Sequence, residues 1–92
     1  MSINRYNPRR DVNELEIVNA LKQVGCTVIR SNAVDLIVGY KGVNYLMEIK
    51  CDHKAYLKPS QIKLMAEWEG QYAIVTTITE AMSVINIKGE SL

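Results

Sequence analysis

Two apolar segments joined by the turn Lys41-Gly42 restrict most strongly what this chain can fold into. They span residues 34–51, and such a pair around a glycine-containing turn predicts a β-hairpin. Because side chains alternate between the two faces of a strand, Glu48 and Lys50 share one face near the end of the second segment. Asp35 heads the first segment and would add a second carboxylate beside them. The hairpin therefore predicts a site that can hold a divalent metal ion and a water.

Helices and two further strands are predicted around this hairpin. Residues 1–10 are predicted to form a flexible N-terminal arm, and residues 11–92 a single domain. We expect Val12, Leu15, Met65 and Trp68 to belong to the apolar faces of two long helices packed on either side of the sheet. Periodicity and turn residues predict a helix from Asp11 to Gly25, a strand over 26–30, the hairpin, a helix over 59–69, a strand over 71–77 and a short helix over 79–85. This αβββαβ order predicts an α/β fold with a mixed central sheet flanked by helices.

The composition narrows the chemistry of the site. The chain has 92 residues, of which 48% are hydrophobic and 23% are charged, as in an ordinary globular domain. Its two cysteines, Cys26 and Cys51, are too few for a disulfide scaffold and are expected to be free, buried thiols. With His53 as the single histidine, zinc sites built from two Cys and two His or from three His are excluded. A hard metal ion with oxygen ligands remains possible.

Charge and hydropathy favour a non-membrane protein with a local basic surface. No apolar run approaches the roughly 20 residues that cross a bilayer. The first residues lack a signal-peptide core, so a cytoplasmic location is expected. The net charge of +1 does not by itself favour nucleic acid. Grouped basic residues are nevertheless predicted to contact nucleic-acid phosphates, with solvated surface charge as the alternative for each: Arg9, Arg10, Lys54, Lys58 and Lys63.

Each long helix carries a polar residue where its apolar face begins. At about 100° per residue, Glu14 points with Ile17 and Leu21 towards the core, whereas Glu16 points to solvent. Gln61 occupies a similar position in the second helix. The helix dipole would explain Glu14 alone, and capping would explain Gln61 alone. Because both are directed at the sheet that carries the paired carboxylates, together they favour a shared polar site.

These residue types suit hydrolysis of a phosphodiester bond. Asp35 and Glu48, with the backbone carbonyl of Ile49, are predicted to hold Mg²⁺ or Mn²⁺, because hard cations prefer oxygen ligands. Lys50 would orient or deprotonate the attacking water and stabilise the transition state. Glu14 would complete the metal shell through a water or bind a second metal. The glutamine of the second helix would position the nucleophile or the phosphate.

The same residues resemble the signature of the PD-(D/E)XK nuclease superfamily. Asp35 is followed thirteen residues later by Glu48-Ile49-Lys50, and the helix and strand order is similar to that of its restriction-endonuclease-like core. Four segments resemble the VRR-NUC (virus-type replication-repair nuclease) family, especially its small stand-alone phage members, and look like the archaeal Holliday junction resolvases. They are Asn13-Glu14-Leu15-Glu16-Ile17-Val18, Val34-Asp35-Leu36-Ile37-Val38-Gly39, Tyr45-Leu46-Met47-Glu48-Ile49-Lys50 and Leu57-Lys58-Pro59-Ser60-Gln61.

The resemblance implies an Mg²⁺- or Mn²⁺-dependent, structure-selective DNA endonuclease in phage or mobile-element replication, recombination or repair. Its implied substrate is branched or flapped DNA such as a Holliday junction, its implied form is a homodimer, and no small-molecule cofactor is expected. Asp35, Glu48 and Lys50 carry over as core catalytic residues, with Glu14 and Gln61 as outer members.

Two departures from the family pattern concern the substrate. The connector Ser31-Asn32-Ala33-Val34 replaces the Gly-rich segment ending in Pro that usually precedes the metal-binding Asp. Lys58 stands where a Ser or Thr helix cap is common.

Two other functions fit the same fold: a catalytically silent module that binds nucleic acid or a partner protein, and a purely structural protein. Mn²⁺ binding that depends on Asp35 and Glu48 would separate the nuclease from both.

Overall fold

The computed structural model describes residues 8–52 and 56–86, with side chains from residue 12 onward. The helix and strand order of these residues confirms the predicted αβββαβ core, followed by a short helix. None of the helices in these ranges is long and apolar enough to span a membrane. The elements are α1 (Pro8–Gln23), β1 (Thr27–Arg30), β2 (Leu36–Tyr40), β3 (Val43–Ile49), α2 (Pro59–Glu67), β4 (Gln71–Val75) and α3 (Ile78–Val84).

β2 and β3 form the predicted hairpin. Antiparallel pairing places Tyr40 opposite Val43, so two residues make the loop. Both have positive φ, 52° at Lys41 and 82° at Gly42. Successive positive φ values are typical of a type I′ turn, whose twist matches that of the flanking strands. The turn fixes the register, and the register decides which face each β3 side chain occupies.

The sheet is mixed and has the order β1-β2-β3-β4. β1 pairs antiparallel with β2, whereas β4 pairs parallel with β3. A parallel pair requires a crossover connection, and α2 supplies it. The last paired residues of the parallel strands are Ile49 and Val75, and the Lys50 N–H still donates to the Val75 carbonyl at 3.0 Å. Lys50 is therefore held in line with β3 although it follows the strand.

The main hydrophobic core lies between one face of the sheet and helices α1 and α3. Alternate residues of β2 and β3, among them Val38 and Met47, are fully buried there. Helix α1 contributes Ile17 and Leu21, and α3 contributes Ala81, also without exposed surface. Both cysteines are free thiols, as predicted, but Cys51 is half-buried and not buried. Cys26 belongs to this core, and burial raises the pKa of its thiol.

The prediction that α2 contributes core residues is wrong. Helix α2 contains no buried residue, and Met65 and Trp68 are 38% and 45% exposed. The reason is the face of the sheet that α2 covers. Gln61 of α2 contacts Glu48, and strand alternation directs Glu48 away from the core residue Met47. A face that carries a buried carboxylate offers α2 little continuous apolar surface.

Helix α1 begins earlier than predicted. It starts at Pro8 instead of Asp11, which agrees with the preference of proline for the first helical turn because its missing N–H has no partner there. Residues 8–10 of the predicted arm are thus helical, and residues 1–7 lie outside the described ranges. The division into an arm and one domain stays a prediction.

The buried stripe of α1 is narrower than the apolar pattern. Val12 and Leu15 were expected in the core but are 57% and 52% exposed. Glu14 is buried and Glu16 exposed, as predicted. The helix ends at Gln23. Gly25, two residues later, has a φ of 103°, a left-handed conformation that glycine adopts without a Cβ clash.

Candidate active site

Asp35, Glu48 and Lys50 lie close together at the end of β3, the strand that pairs with both β2 and β4. Asp35 lies directly before β2, and its Oδ2 accepts a hydrogen bond from the Ile49 N–H at 2.8 Å. The donor residue, Ile49, lies between Glu48 and Lys50 at the end of β3, so the bond brings Asp35 next to both. The hairpin register therefore brings the three residues together as the sequence predicts.

Glu48 is a buried carboxylate with a hydrogen-bond donor on each oxygen. Its side chain is 1% exposed. Gln61 Nε2 donates to Oε1 at 3.1 Å, and the Tyr72 hydroxyl donates to Oε2 at 2.9 Å. Burial raises the pKa of Glu48, the Tyr72 bond opposes this, and nearby Asp35 raises the pKa further. Lys50 lowers the same pKa by its charge, so an acidic pair and a cation share this site.

Gln61 links the two charged residues of β3 to the start of α2. Its Oε1 accepts from Lys50 Nζ at 3.0 Å and from the Lys58 N–H at 2.8 Å, while its Nε2 donates to Glu48. Two donors on one amide atom and an acceptor on the other fix the orientation of the carboxamide. Gln61 is thus a helix-capping residue and a site residue at once.

Glu14 of α1 forms an ion pair with Arg30 of β1. Its Oε2 lies 3.6 Å from Arg30 Nη1, with the Arg30 side chain 57% exposed and that of Glu14 11% exposed. In the described part of the chain, no three acidic, histidine or cysteine side chains form a group that could hold a metal ion. The predicted role of Glu14 at the metal therefore stays a prediction.

The fold of this chain is similar to that of a solved structure. A solved structure described as "VRR_NUC domain" matches with a TM-score of 0.72, covering 84% of this chain and 94% of that chain, at 18% sequence identity. The chain has the VRR_NUC fold. No protein-family model and no curated protein matches the sequence. The structural match confirms the predicted restriction-endonuclease-like architecture.

Within the VRR_NUC fold, the donor set fits a hard divalent cation. Asp35 and Glu48 supply carboxylate oxygens, the ligand type that hard cations prefer. Mg²⁺ commonly takes only one or two carboxylates and keeps several waters, so a pair of acids is sufficient. The carbonyl of Ile49 is predicted as a further ligand. Its N–H already joins it to Asp35, which places the residue beside the pair.

The connector before Asp35 is held by its own hydrogen bonds. Ser31 Oγ accepts from the Ala33 N–H at 3.1 Å, and the Ser31 N–H donates to the Asp35 carbonyl at 3.2 Å. Val34 is buried. The departure from the family's Gly-rich segment therefore gives a short closed turn next to the acidic pair.

The predicted nucleic-acid contacts are partly placed by the structure. Lys58 and Lys63 are exposed on α2, near the turn that carries Gln61. Arg9 and Arg10 belong to the first turn of α1, but their side chains lie outside the described residues, as does all of Lys54. Nothing in the structure tests whether these residues bind DNA.

Three residues that the sequence does not predict as functional contact the predicted site residues Glu48, Glu14 and Lys50. Tyr72 lies within a predicted strand and no local feature marks it as functional, yet its hydroxyl donates to Glu48. Arg30 pairs with Glu14. Asn13 Nδ2 donates to the carbonyls of Lys50 at 3.2 Å and Thr76 at 2.8 Å, and so joins α1 to both chain segments that follow the parallel strands. The Tyr72 contact depends on the register between β3 and β4. The Arg30 and Asn13 contacts depend on how α1 packs against the sheet, and no local motif predicts any of them.

Proposed function

We propose that this chain is a metal-dependent DNA endonuclease that hydrolyses phosphodiester bonds in branched or flapped DNA. The observation that carries the proposal is the single Gln61 side chain that bonds to both Glu48 and Lys50. It holds a buried acid and a cation in fixed positions beside Asp35. The VRR_NUC fold supports the same reaction, because the name of the matching structure suggests a nuclease domain.

Asp35 and Glu48 would hold Mg²⁺ or Mn²⁺, with the Ile49 carbonyl and Glu14 as further ligands. A bound divalent ion would neutralise charge on the scissile phosphate and lower the pKa of an attacking water. The chain itself contributes a rigid pair of carboxylates. Asp35 is fixed by the Ile49 N–H, and Glu48 is fixed by donors on both oxygens.

Lys50 would act on the phosphate and the attacking water. Its Nζ is held 3.0 Å from Gln61 Oε1, and its carbonyl accepts from Asn13. The ammonium group is therefore fixed from both ends of the residue. A cation fixed in advance stabilises charge that develops in the transition state without reorganising at that moment.

DNA would be held by the exposed lysines of α2 together with the basic residues that flank the site. Lys58 and Lys63 are exposed, and Arg9, Arg10 and Lys54 complete the proposed set. We propose a homodimer as the acting form, since one small domain offers little surface for the arms of a branched substrate. The exposed apolar side chains of Ile62 and Met65 on α2 support an association between copies.

Cleavage of labelled DNA tests the proposal. A panel of four-way junction, flap, nicked, single-stranded and duplex DNA is incubated with wild-type protein and Mg²⁺ or Mn²⁺. Asp35→Ala and Lys50→Ala are expected to lower kcat by about 10²- to 10³-fold, the loss typical of removing a group that stabilises a transition state. Lys22→Ala removes an exposed lysine in the last turn of α1 and is expected to cleave as wild type does.

Sedimentation of the wild-type protein tests the proposed homodimer and should give twice the 10.4 kDa of one chain.

The outcomes separate the competing functions. Wild-type protein that cleaves none of these DNAs with either metal, or a Lys50→Ala variant that cleaves as well as wild type, would contradict the nuclease. Tight DNA binding without cleavage would instead identify a silent binding module.

A further inference from the structure

Tyr72 lies on β4 in reach of the acid of the neighbouring strand. The parallel register pairs Leu46 with Tyr72 and Glu48 with Ile74. Tyr72 is therefore two residues from the direct partner of Glu48 and projects from the same face of the sheet, because strand side chains alternate. Its hydroxyl crosses this diagonal and donates to Glu48 Oε2 at 2.9 Å.

The contact completes a clamp on the Glu48 carboxylate. Gln61 donates to one oxygen from α2, and Tyr72 donates to the other from β4. Glutamate has three rotatable side-chain bonds, and two donors from different elements fix the plane of its carboxylate. A carboxylate can accept about four hydrogen bonds or ligand contacts in all, so these two donors alone do not exhaust its capacity.

We propose that Tyr72 is a positioning residue that orients Glu48 for a divalent cation. The inference rests on the proposed nuclease function and deepens it, because it names what holds the metal-binding acid in place. Tyr72 acts through Glu48 and makes no contact with DNA or the reacting atoms in this proposal. Partners that hydrogen-bond to metal ligands typically contribute about 10- to 100-fold to metal affinity or activity.

The obvious alternative is that Tyr72 matters only for packing. Its ring is half-buried on β4, and phenylalanine would preserve that packing while removing only the hydroxyl. Tyr40 offers a matched control, because it is also a half-buried strand tyrosine but lies at the hairpin turn, at the other end of the sheet. Tyr40→Phe deletes the same atom away from Glu48.

Calorimetric titration with Mn²⁺ alone tests the inference on the folded proteins. Tyr72→Phe is expected to bind Mn²⁺ about tenfold more weakly than wild type, whereas Tyr40→Phe binds as wild type does. With a DNA substrate that wild type cleaves, the activity of Tyr72→Phe should be lost at low Mn²⁺ and recover as Mn²⁺ is raised, with KM for DNA unchanged. Circular dichroism melting normalises each titration to the folded fraction.

The results distinguish the two levels of the proposal. Wild-type protein that binds no Mn²⁺ contradicts the proposed function itself. If wild type binds Mn²⁺ and Tyr72→Phe binds it within twofold of wild type, only the role of Tyr72 is overturned. Equal weakening in Tyr40→Phe and Tyr72→Phe would also overturn it, since the effect would then belong to packing.

Discussion

Glu48 has an environment very different from that of a free side chain. It is 1% exposed, and burying a carboxylate disfavours its charged form, which is why the pKa of Glu48 is raised. Burial and the bond to Glu48 likewise raise the pKa of Tyr72. A protein that keeps such an acid in the absence of metal loses stability for the sake of a functional group.

Glu48→Gln should therefore stabilise the protein in metal-free buffer. The pKa of Glu48 is higher in the folded than in the unfolded chain. The contribution of its carboxyl group to the unfolding free energy is therefore fully present at pH values below the ordinary carboxyl pKa. That contribution is lost as the pH rises through the folded-state pKa. We expect the variant to gain roughly 0.5 to 2 kcal/mol of unfolding free energy at pH 7.5, and much less near pH 4, measured by urea unfolding with a chelator.

Glu16→Gln provides the control for that measurement. Glu16 lies on the exposed face of α1, so neutralising it should leave the stability at both pH values nearly unchanged. A Glu48→Gln protein that is less stable than wild type at pH 7.5 would show that the hydrogen bonds of the carboxylate outweigh its desolvation.

At the residue scale, the sequence predicts what lies within one hairpin or one helical turn of a motif. Spacing alone places Asp35, Glu48 and Lys50 together, and helical periodicity adds Gln61. Tyr72 is different, because its position beside Glu48 depends on the register of β4 against β3. A parallel register is set by packing across a crossover and not by a turn, so no local pattern encodes it.

At the element scale, the start of α2 is the weakest helix end near the site. Lys58 is its N-cap, with an extended backbone and no side-chain hydrogen bond to the helix. Only half of a capping box is present: Gln61 accepts from the Lys58 N–H, but a lysine side chain has no acceptor to offer in return. The start of the helix thus combines a poor cap with an exposed positive charge on the residue whose N–H bonds to Gln61.

Lys58→Ser should change stability and DNA binding in opposite directions. A serine hydroxyl completes the capping box and is expected to add about 0.5 to 1 kcal/mol of unfolding free energy. Removing one phosphate contact should weaken DNA binding and reduce its logarithmic salt slope by about 0.9. Urea unfolding and fluorescence anisotropy at several salt concentrations measure the two effects.

Lys63→Ser separates the cap from the charge. Lys63 is exposed within α2, so serine there removes the same charge without creating a cap. It should weaken DNA binding without stabilising the helix. A Lys58→Ser protein with the stability of wild type would show that the cap contributes nothing, and an unchanged salt slope would remove Lys58 from the DNA surface.

Element types were predictable, but their ends were less so. Gly25 and the turn Lys41-Gly42 fix backbone conformations that few other residues adopt, and there the prediction holds. The start of α1 and the ends of β3 and α2 differ from expectation by two or three residues. At those ends no single residue forces a stop, and hydrogen bonds between distant elements decide, such as the Asn13 contacts that follow β3 and β4.

At the scale of the whole molecule, the two faces of the sheet are stabilised in different ways. One face buries the apolar residues of α1, α3 and the sheet. The other carries α2, which has no buried residue but bonds through Gln61 to Glu48 and Lys50. The apolar pattern of α2 suggested a second core, yet that face holds the polar site. Since burial is the main stabilising term in folding and α2 has no buried residue, the stability of α2 depends on its hydrogen bonds to the site.

This asymmetry predicts that the proposed metal site and α2 stabilise each other. In hydrogen exchange without metal, the amides of residues 64–67 should exchange faster than those of residues 17–21 in α1, because few apolar contacts must break to open α2. Mn²⁺ should slow exchange in α2 and leave α1 nearly unchanged, since an ion bound to Glu48 also restrains the Gln61 side chain.

In Gln61→Met the slowing should disappear, whereas Gln23→Met, at an exposed site of α1, should respond to Mn²⁺ as wild type does. Protection in α2 equal to that in α1 without metal would show that the helix is held by packing, and the link through Gln61 would then carry no stability.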